Sequence, residues 1–140
     1  MTEAVICYEA PLNPDEWVKK LTEWIFLEGL VNYGVINHRK DMEAMGVHAP
    51  PWAYTVMFGN PLGGSKFLAV APAAVADMPI RVGIYGVEGH SVLAYHTMSS
   101  LLAMHDDKLG PLGRDIDHLI DRFCTSSGVV KRRNCADAPG

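Results

Sequence analysis

The sequence predicts an α+β fold, one antiparallel sheet with helices packed on one face. Three observations carry this. The elements run strand, helix, four strands, helix; the last two strands meet at a turn too short for a parallel crossover; and the helix after Asn13 has a single apolar stripe to lay on a sheet. The 140 residues are read as a single domain, 1–140.

Residues 2–8 are β-branched and apolar, a first strand with Val5 and Cys7 on one face and Ile6 and Tyr8 on the other. The first helix opens with Asn13 as N-cap accepting from the backbone, Pro14 where no amide is needed, and Glu16 at capping-box spacing. Trp17, Val18, Leu21, Trp24 and Ile25 form its apolar stripe, and Gly29 ends it in the left-handed conformation. Residues 30–36 make the second strand, with Gly34 marking a bulge. Residues 41–45 form one helical turn stopped by Gly46, and Pro50-Pro51 open a third strand over 52–58. Residues 62–76 lack a clean period and read as one or two short helices broken at Pro72. The fourth and fifth strands, 80–85 and 91–95, are joined by Val87-Glu88-Gly89-His90. A short helix capped by Ser99 or Ser100 carries Leu101, Leu102 and His105, and Gly110-Pro111 interrupts it. A last helix over about 114–124 sets Ile116, Leu119, Ile120 and Phe123 on one stripe, with Asp117, Asp121 and Arg122 outside; 134–140 reads as a frayed tail.

Composition narrows the function classes. With 49% hydrophobic and 20% charged residues the chain is globular, and its net charge of −4 lacks the positive field nucleic acid requires. Lys131-Arg132-Arg133 is the only basic run and reads as a solvated end. Cys7, Cys124 and Cys135, odd in number and widely spaced, argue against a disulfide framework and fit a reducing compartment. Cys7 reads as a buried, inert thiol. No leader or membrane span is legible, so a cytoplasmic protein without membrane association is expected.

The Phe58-Gly59-Asn60-Pro61 turn, Pro72, Asp77-Met78-Pro79-Ile80-Arg81 and a Gly-turned hairpin ending in Tyr95 together resemble the prokaryotic "domain of unknown function 302" family. Upstream, the Tyr33-Gly34-Val35-Ile36-Asn37-His38 strand and the Pro-Pro entry are similar too, as are Leu101, Met104 and His105 downstream. The resemblance covers a core of about 1–108, leaving the helix and tail of 109–140 as an extension. It implies a TATA-binding-protein-like β-α-β4-α arrangement and a homodimer, and no established reaction. The chain departs from the family where Gly64-Ser65 replaces a Gly-Thr and where His96-Thr97-Met98 follows Tyr95.

Candidate sites each carry a plainer alternative. Asn60 with Gly63-Gly64-Ser65 could present backbone amides to an anion, or could simply end a strand with Ser65 capping a helix. His105 falls on an apolar stripe with Met98, Leu101 and Leu102; with Tyr95, His96 and Met98 it could ligate haem or a soft metal, or it could be a histidine bonded to a carboxylate. No recognised metal signature is present. His38 beside Asp41, and His48 beside Pro50, are looser candidates for a cleft. Arg81 could clamp a carboxylate or phosphate, or pair across strands with Glu88 or another acid. Trp52, Tyr54 and Phe58 read as core or dimer contacts. No acid, base and nucleophile set can be assembled, so a non-enzymatic homodimer binding a small ligand or protein partner in a sheet or inter-subunit groove is preferred. A haem- or metal-linked protein using His105 and residues near Tyr95 is the alternative.

Overall fold

A computed structural model describes residues 4–126 and 128–136. In chain order they form β1 (Val5–Ala10), α1 (Pro14–Leu27), β2 (Val31–Asn37), α2 (His38–Ala44), β3 (Ala53–Gly59), α3 (Pro61–Val70), β4 (Ile80–Val87), β5 (His90–His96), α4 (Met98–Ala103), α5 (Gly110–Thr125) and β6 (Lys131–Arg133). Short 3₁₀ segments, Pro72–Asp77 and Asp107–Leu109, link α3 to β4 and α4 to α5. The strands make one six-stranded sheet in the order β2-β3-β4-β5-β1-β6, antiparallel throughout. The expected α+β class and single antiparallel layer are therefore observed. The crossover from Asn60 to Pro79 joins neighbours, with Phe58 opposite Ile80.

Register decides which face becomes the core. Tyr8 lies opposite Leu93, Leu93 opposite Ile84, and Val56 opposite Val82, so alternate residues of four strands share one face. Onto it pack Trp17, Leu21 and Ile25 of α1, with Ile120 and Cys124 of α5. Each such apolar burial contributes about 1.5–3 kcal/mol before ordering entropy. A second cluster of Phe67, Ala74, Met98, Leu102 and Leu109 ties α3, both 3₁₀ segments and α4 together.

Gly29 (φ +70°) ends α1 as expected, and Leu30 N–H closes the turn on the Ile25 carbonyl. The bulge falls between Asn32 and Gly34, and α3 stops where Pro72 begins its 3₁₀ segment.

Other boundaries differ. The Asn13 side chain does not cap α1 by accepting from the backbone; its amide donates to Glu16 Oε1 at 2.9 Å, a carboxylate being the stronger acceptor. Asn60, rather than Ser65, caps α3, accepting from Leu62 N–H. Helix α2 begins three residues early because the Asn37 side chain accepts from Lys40 N–H. Neither Ser99 nor Ser100 is the cap of α4; Asp117 of α5 reaches across to Met98 N–H (2.8 Å) and Ser99 N–H (3.2 Å). Gly110-Pro111 starts α5 rather than interrupting a helix, since proline in a first turn lacks only an amide that would have no partner.

The C-terminus departs most. Lys131–Arg133 is not a solvated end but strand β6 on the edge of β1, and Cys135 beyond it forms a disulfide with Cys7. The pairing of Cys7 with Arg133 brings Cys135 within reach, closing a sequence separation of 128. The expectation of separate thiols fails for two of the three cysteines; Cys124 is free and buried. The first-strand positions Thr2 and Glu3, Ser127, and tail positions 137–140 lie outside the described residues. Trp52 also departs: it precedes β3, is 49% exposed, and lies under the Arg39 guanidinium at 4.2 Å. Among the described residues no helix is long and apolar enough to cross a membrane.

Two outcomes follow from these joints. Reduction, or Cys7→Ser, is expected to lower unfolding free energy by about 2–4 kcal/mol, read as a shifted urea midpoint. Gly113 of α5 lies so near α4 that a Cβ would stand 2.6 Å from Ser99 Cα and N. Gly113→Ala should therefore cost about 3 kcal/mol, whereas an unchanged midpoint would show that the two helices can part freely.

Candidate functional site

Two cavities lie on opposite sides of α5. The first, of about 570 Å³, is bounded by α3, the Met78–Pro79 segment, the β2 and β3 ends and α5. Leu112, Ile116 and Leu119 recur on one stripe of α5 and face it, opposed by Phe67 of α3 and by Met78 and Met98. Its polar lining comes from Asn60, Lys66, Asp115 and Tyr33. Gly64 is part of the wall because α3 passes close to Met78, whose Cε would stand 2.7 Å from an added Cβ.

The second, of about 580 Å³, lies between the β1–β5–β6 side of the sheet, α4 and the other stripe of α5. Asp117, His118 and Asp121 line it from α5, and Tyr8, Tyr95 and Arg132 from the sheet. Tyr8 donates to Asp121 Oδ1 at 2.5 Å. Asp117 is committed to α4, accepting also from the Ser99 hydroxyl at 2.7 Å. Thr97 donates to the Ser100 hydroxyl at 2.6 Å. The Tyr95 hydroxyl is buried and has no hydrogen-bond partner among the described residues.

Electrostatics here follow from burial beside carboxylates. Burial, then the Asp121 hydrogen bond and charge, pushes the Tyr8 phenol well above its ordinary 10.0. Burial, then Asp117, Cys124 and Asp121, pushes the Tyr95 phenol up, with Arg132 opposing. Burial and then Asp121 raise the Cys124 thiol, which keeps it protonated and unreactive.

The residues singled out from sequence are dispersed. Asn60 and Met98 line the first cavity and Tyr95 the second. His105 lines neither; its Nε2 stands 2.6 Å from Asp77 Oδ2, the carboxylate-bonded alternative. His96 is exposed at the end of β5, and His38 bonds Thr55 Oγ1 at 2.7 Å beside α2. Arg81 is exposed on the other face of the sheet, opposite Met57 and at the far end of β4 from Glu88, so the expected cross-strand pair is not made. Among the described residues no three His, Cys, Asp or Glu side chains converge to hold a metal. His105 is bonded to Asp77, Met98 lines the first cavity and His96 is exposed, so the three stand in different surroundings.

Sequence reasoning missed Phe67, Met78 and Ile116 as cavity walls, and Tyr8, Asp117 and Asp121 as a polar cluster. The spacing of Asp117 and Asp121, i and i+4 on one stripe, was a usable signal. Nothing local could pair Asp121 with Tyr8, 113 residues away.

The family model described as "Domain of unknown function DUF302" matches residues 6–126, through α5 and beyond residue 108. Among solved structures, the crystal structure of an uncharacterized conserved DUF302 protein from Bacillus stearothermophilus superposes with a TM-score of 0.79 at 15% identity, covering 87% of this chain and 96% of that one. At that identity the likeness is one of fold. No curated protein matches the chain.

The raised phenols of Tyr8 and Tyr95 fix a sign for alkaline stability. Groups whose folded pKa lies above the unfolded value of 10.0 leave stability intact below pH 10 and take it away as pH rises further. Denaturation midpoints should fall above pH 10, and fall less steeply in Tyr8→Phe. Phenolate absorbance from all 5 tyrosines at pH 11, in protein with a native circular dichroism spectrum, would contradict this.

Proposed function

This chain belongs to the DUF302 family, and from that premise we propose that it is a binding protein that takes a small, largely apolar molecule into the cavity between α3 and α5. The observation that carries this is the character of the wall. A space of about 570 Å³, faced by Phe67, Ile116 and Leu119 and by Met78 and Met98, with polar groups few in number, has the size and chemistry of a small-molecule site. Methionine suits it, because an unbranched, polarisable side chain adapts to ligands of varied outline. Asn60, Lys66 and Asp115 give a polar end to such a ligand. The lining suits holding a molecule rather than transforming it: His38, His96 and His105 all lie elsewhere.

The homodimer belongs to the same proposal, and β2 is the surface that supports it. Among the described residues its outer edge has no neighbouring strand, and Val31–Asn37 contains no charged residue, while Val31, Tyr33 and Val35 are exposed. An uncharged, apolar edge invites pairing with another strand. The opposite edge, β6, is three residues long and wholly basic, which discourages it. Tyr33 sits on β2 and in the cavity wall, so a second copy paired along β2 would border the ligand space.

A C8 alcohol supplies about 6 kcal/mol at ~0.8 kcal/mol per methylene, which corresponds to a dissociation constant of tens of micromolar. Calorimetry with 1-octanol should show saturable binding in that range, and Leu119→Trp, which fills the space from outside the packed core clusters, should weaken it at least tenfold. Equal binding by the variant would place the ligand elsewhere. Sedimentation should report a dimer at micromolar concentration that Val35→Lys dissociates; a monomer in the unmodified protein removes the dimer from the proposal.

A further inference from the structure

The cavity on the polar side of α5 is a second site, independent of the apolar one, and we propose that it binds a small protonated amine through Asp121 and the Tyr8 and Tyr95 hydroxyls. The first argument is the state of Tyr95. Only 3% of this residue is exposed, and its buried hydroxyl meets no partner among the described residues, while the residue lines a cavity of about 580 Å³. A buried hydroxyl without a hydrogen bond is costly and uncommon, so a polar ligand reaching it from the cavity beside its ring would relieve that cost.

The second argument is charge. The groups that raise the Tyr95 phenol include both Asp117 and Asp121, and Arg132 opposes them least strongly, so the field at the inner end is negative. Asp107, Asp117 and Asp121 outnumber Arg114 and Arg132 in the lining. His118 and Arg114 are exposed on α5, towards solvent, whereas Asp117 and Asp121 are partly buried. A small anion would thus meet carboxylates at the inner end, and a neutral alcohol would leave their field uncompensated.

The third argument is the count of acceptors. Asp121 Oδ1 accepts a hydrogen bond from the Tyr8 hydroxyl. That leaves Asp121 Oδ2 and the two phenol oxygens as acceptors for an ammonium, which carries three N–H donors. Both phenols are held neutral by burial, so their oxygens remain available over the ordinary pH range. Asp117 is spent on the start of α4, so it contributes charge while Asp121 contributes the contact.

The test is an NMR titration of the full-length chain with n-butylammonium chloride, beside 1-butanol and sodium butyrate at matched ionic strength. We expect saturable shifts centred on the amides of Thr97, Ser100 and Asp121, with the amine binding at least tenfold more tightly than either isostere. Tyr95→Phe should weaken the amine about tenfold, as loss of a hydrogen bond to a charged group does, while its thermal midpoint holds or rises because no internal partner is lost. Asp121→Asn should weaken it further. Comparable binding of butanol or butyrate, undiminished binding by Tyr95→Phe, or no saturation by the unmodified protein below roughly 50 mM, where dissociation constants leave the range of specific binding, would each overturn the proposal.

Discussion

Asp117 is the joint on which the half of this molecule that carries both cavities depends. Its carboxylate, one turn from Gly113, accepts from two backbone amides and a hydroxyl at the start of α4. Helix α4 has only six residues and no cap of its own, so the bonds from α5 substitute for the ones its sequence lacks. Hydrogen bonds to an ionised acceptor are about twice as strong as neutral ones, and here they act between helices that Gly113 allows almost to touch. Both cavities inherit this arrangement. Met98 reaches the apolar one from the first residue of α4, and Ser99 and Ser100 reach the polar one from the next two.

The chemistry is divided by α5 itself. A single sixteen-residue helix presents Leu112, Ile116 and Leu119 to one cavity, Ile120 and Cys124 to the sheet, and Asp117, His118 and Asp121 to the other cavity. Three stripes at helical spacing thus separate an apolar compartment from a polar one by the width of a helix. The sheet supplies the matching halves. Tyr8 and Tyr95 lie near β6, whereas Tyr33 and the end of β3 lie across the sheet toward its uncharged edge.

The two edges of the sheet are treated differently. The β6 edge is covered by three basic residues and anchored through Cys7–Cys135, with Arg133 also 3.5 Å from Glu9. The β2 edge has no such protection. Closing one edge and leaving the other apolar directs any further strand pairing to β2, beside the apolar cavity.

Local pattern was enough for the class, five of the six strands, the apolar stripe of α1, the Gly29 stop and the family kinship, because period, proline and glycine act over a few residues. The N-cap position of Asn13 was legible, but the start of α4 was not, since its amides and the Ser99 hydroxyl are met by Asp117, a carboxylate that only folding brings close. Of the candidate site, Asn60, Met98 and Tyr95 were found as residues, without the cavities that give them meaning. The pairing of Tyr8 with Asp121, the disulfide across 128 positions and both cavities were decided only by the tertiary structure. A void or a contact between distant segments has no local periodicity, and exists only once register and helix packing have set which side chains meet.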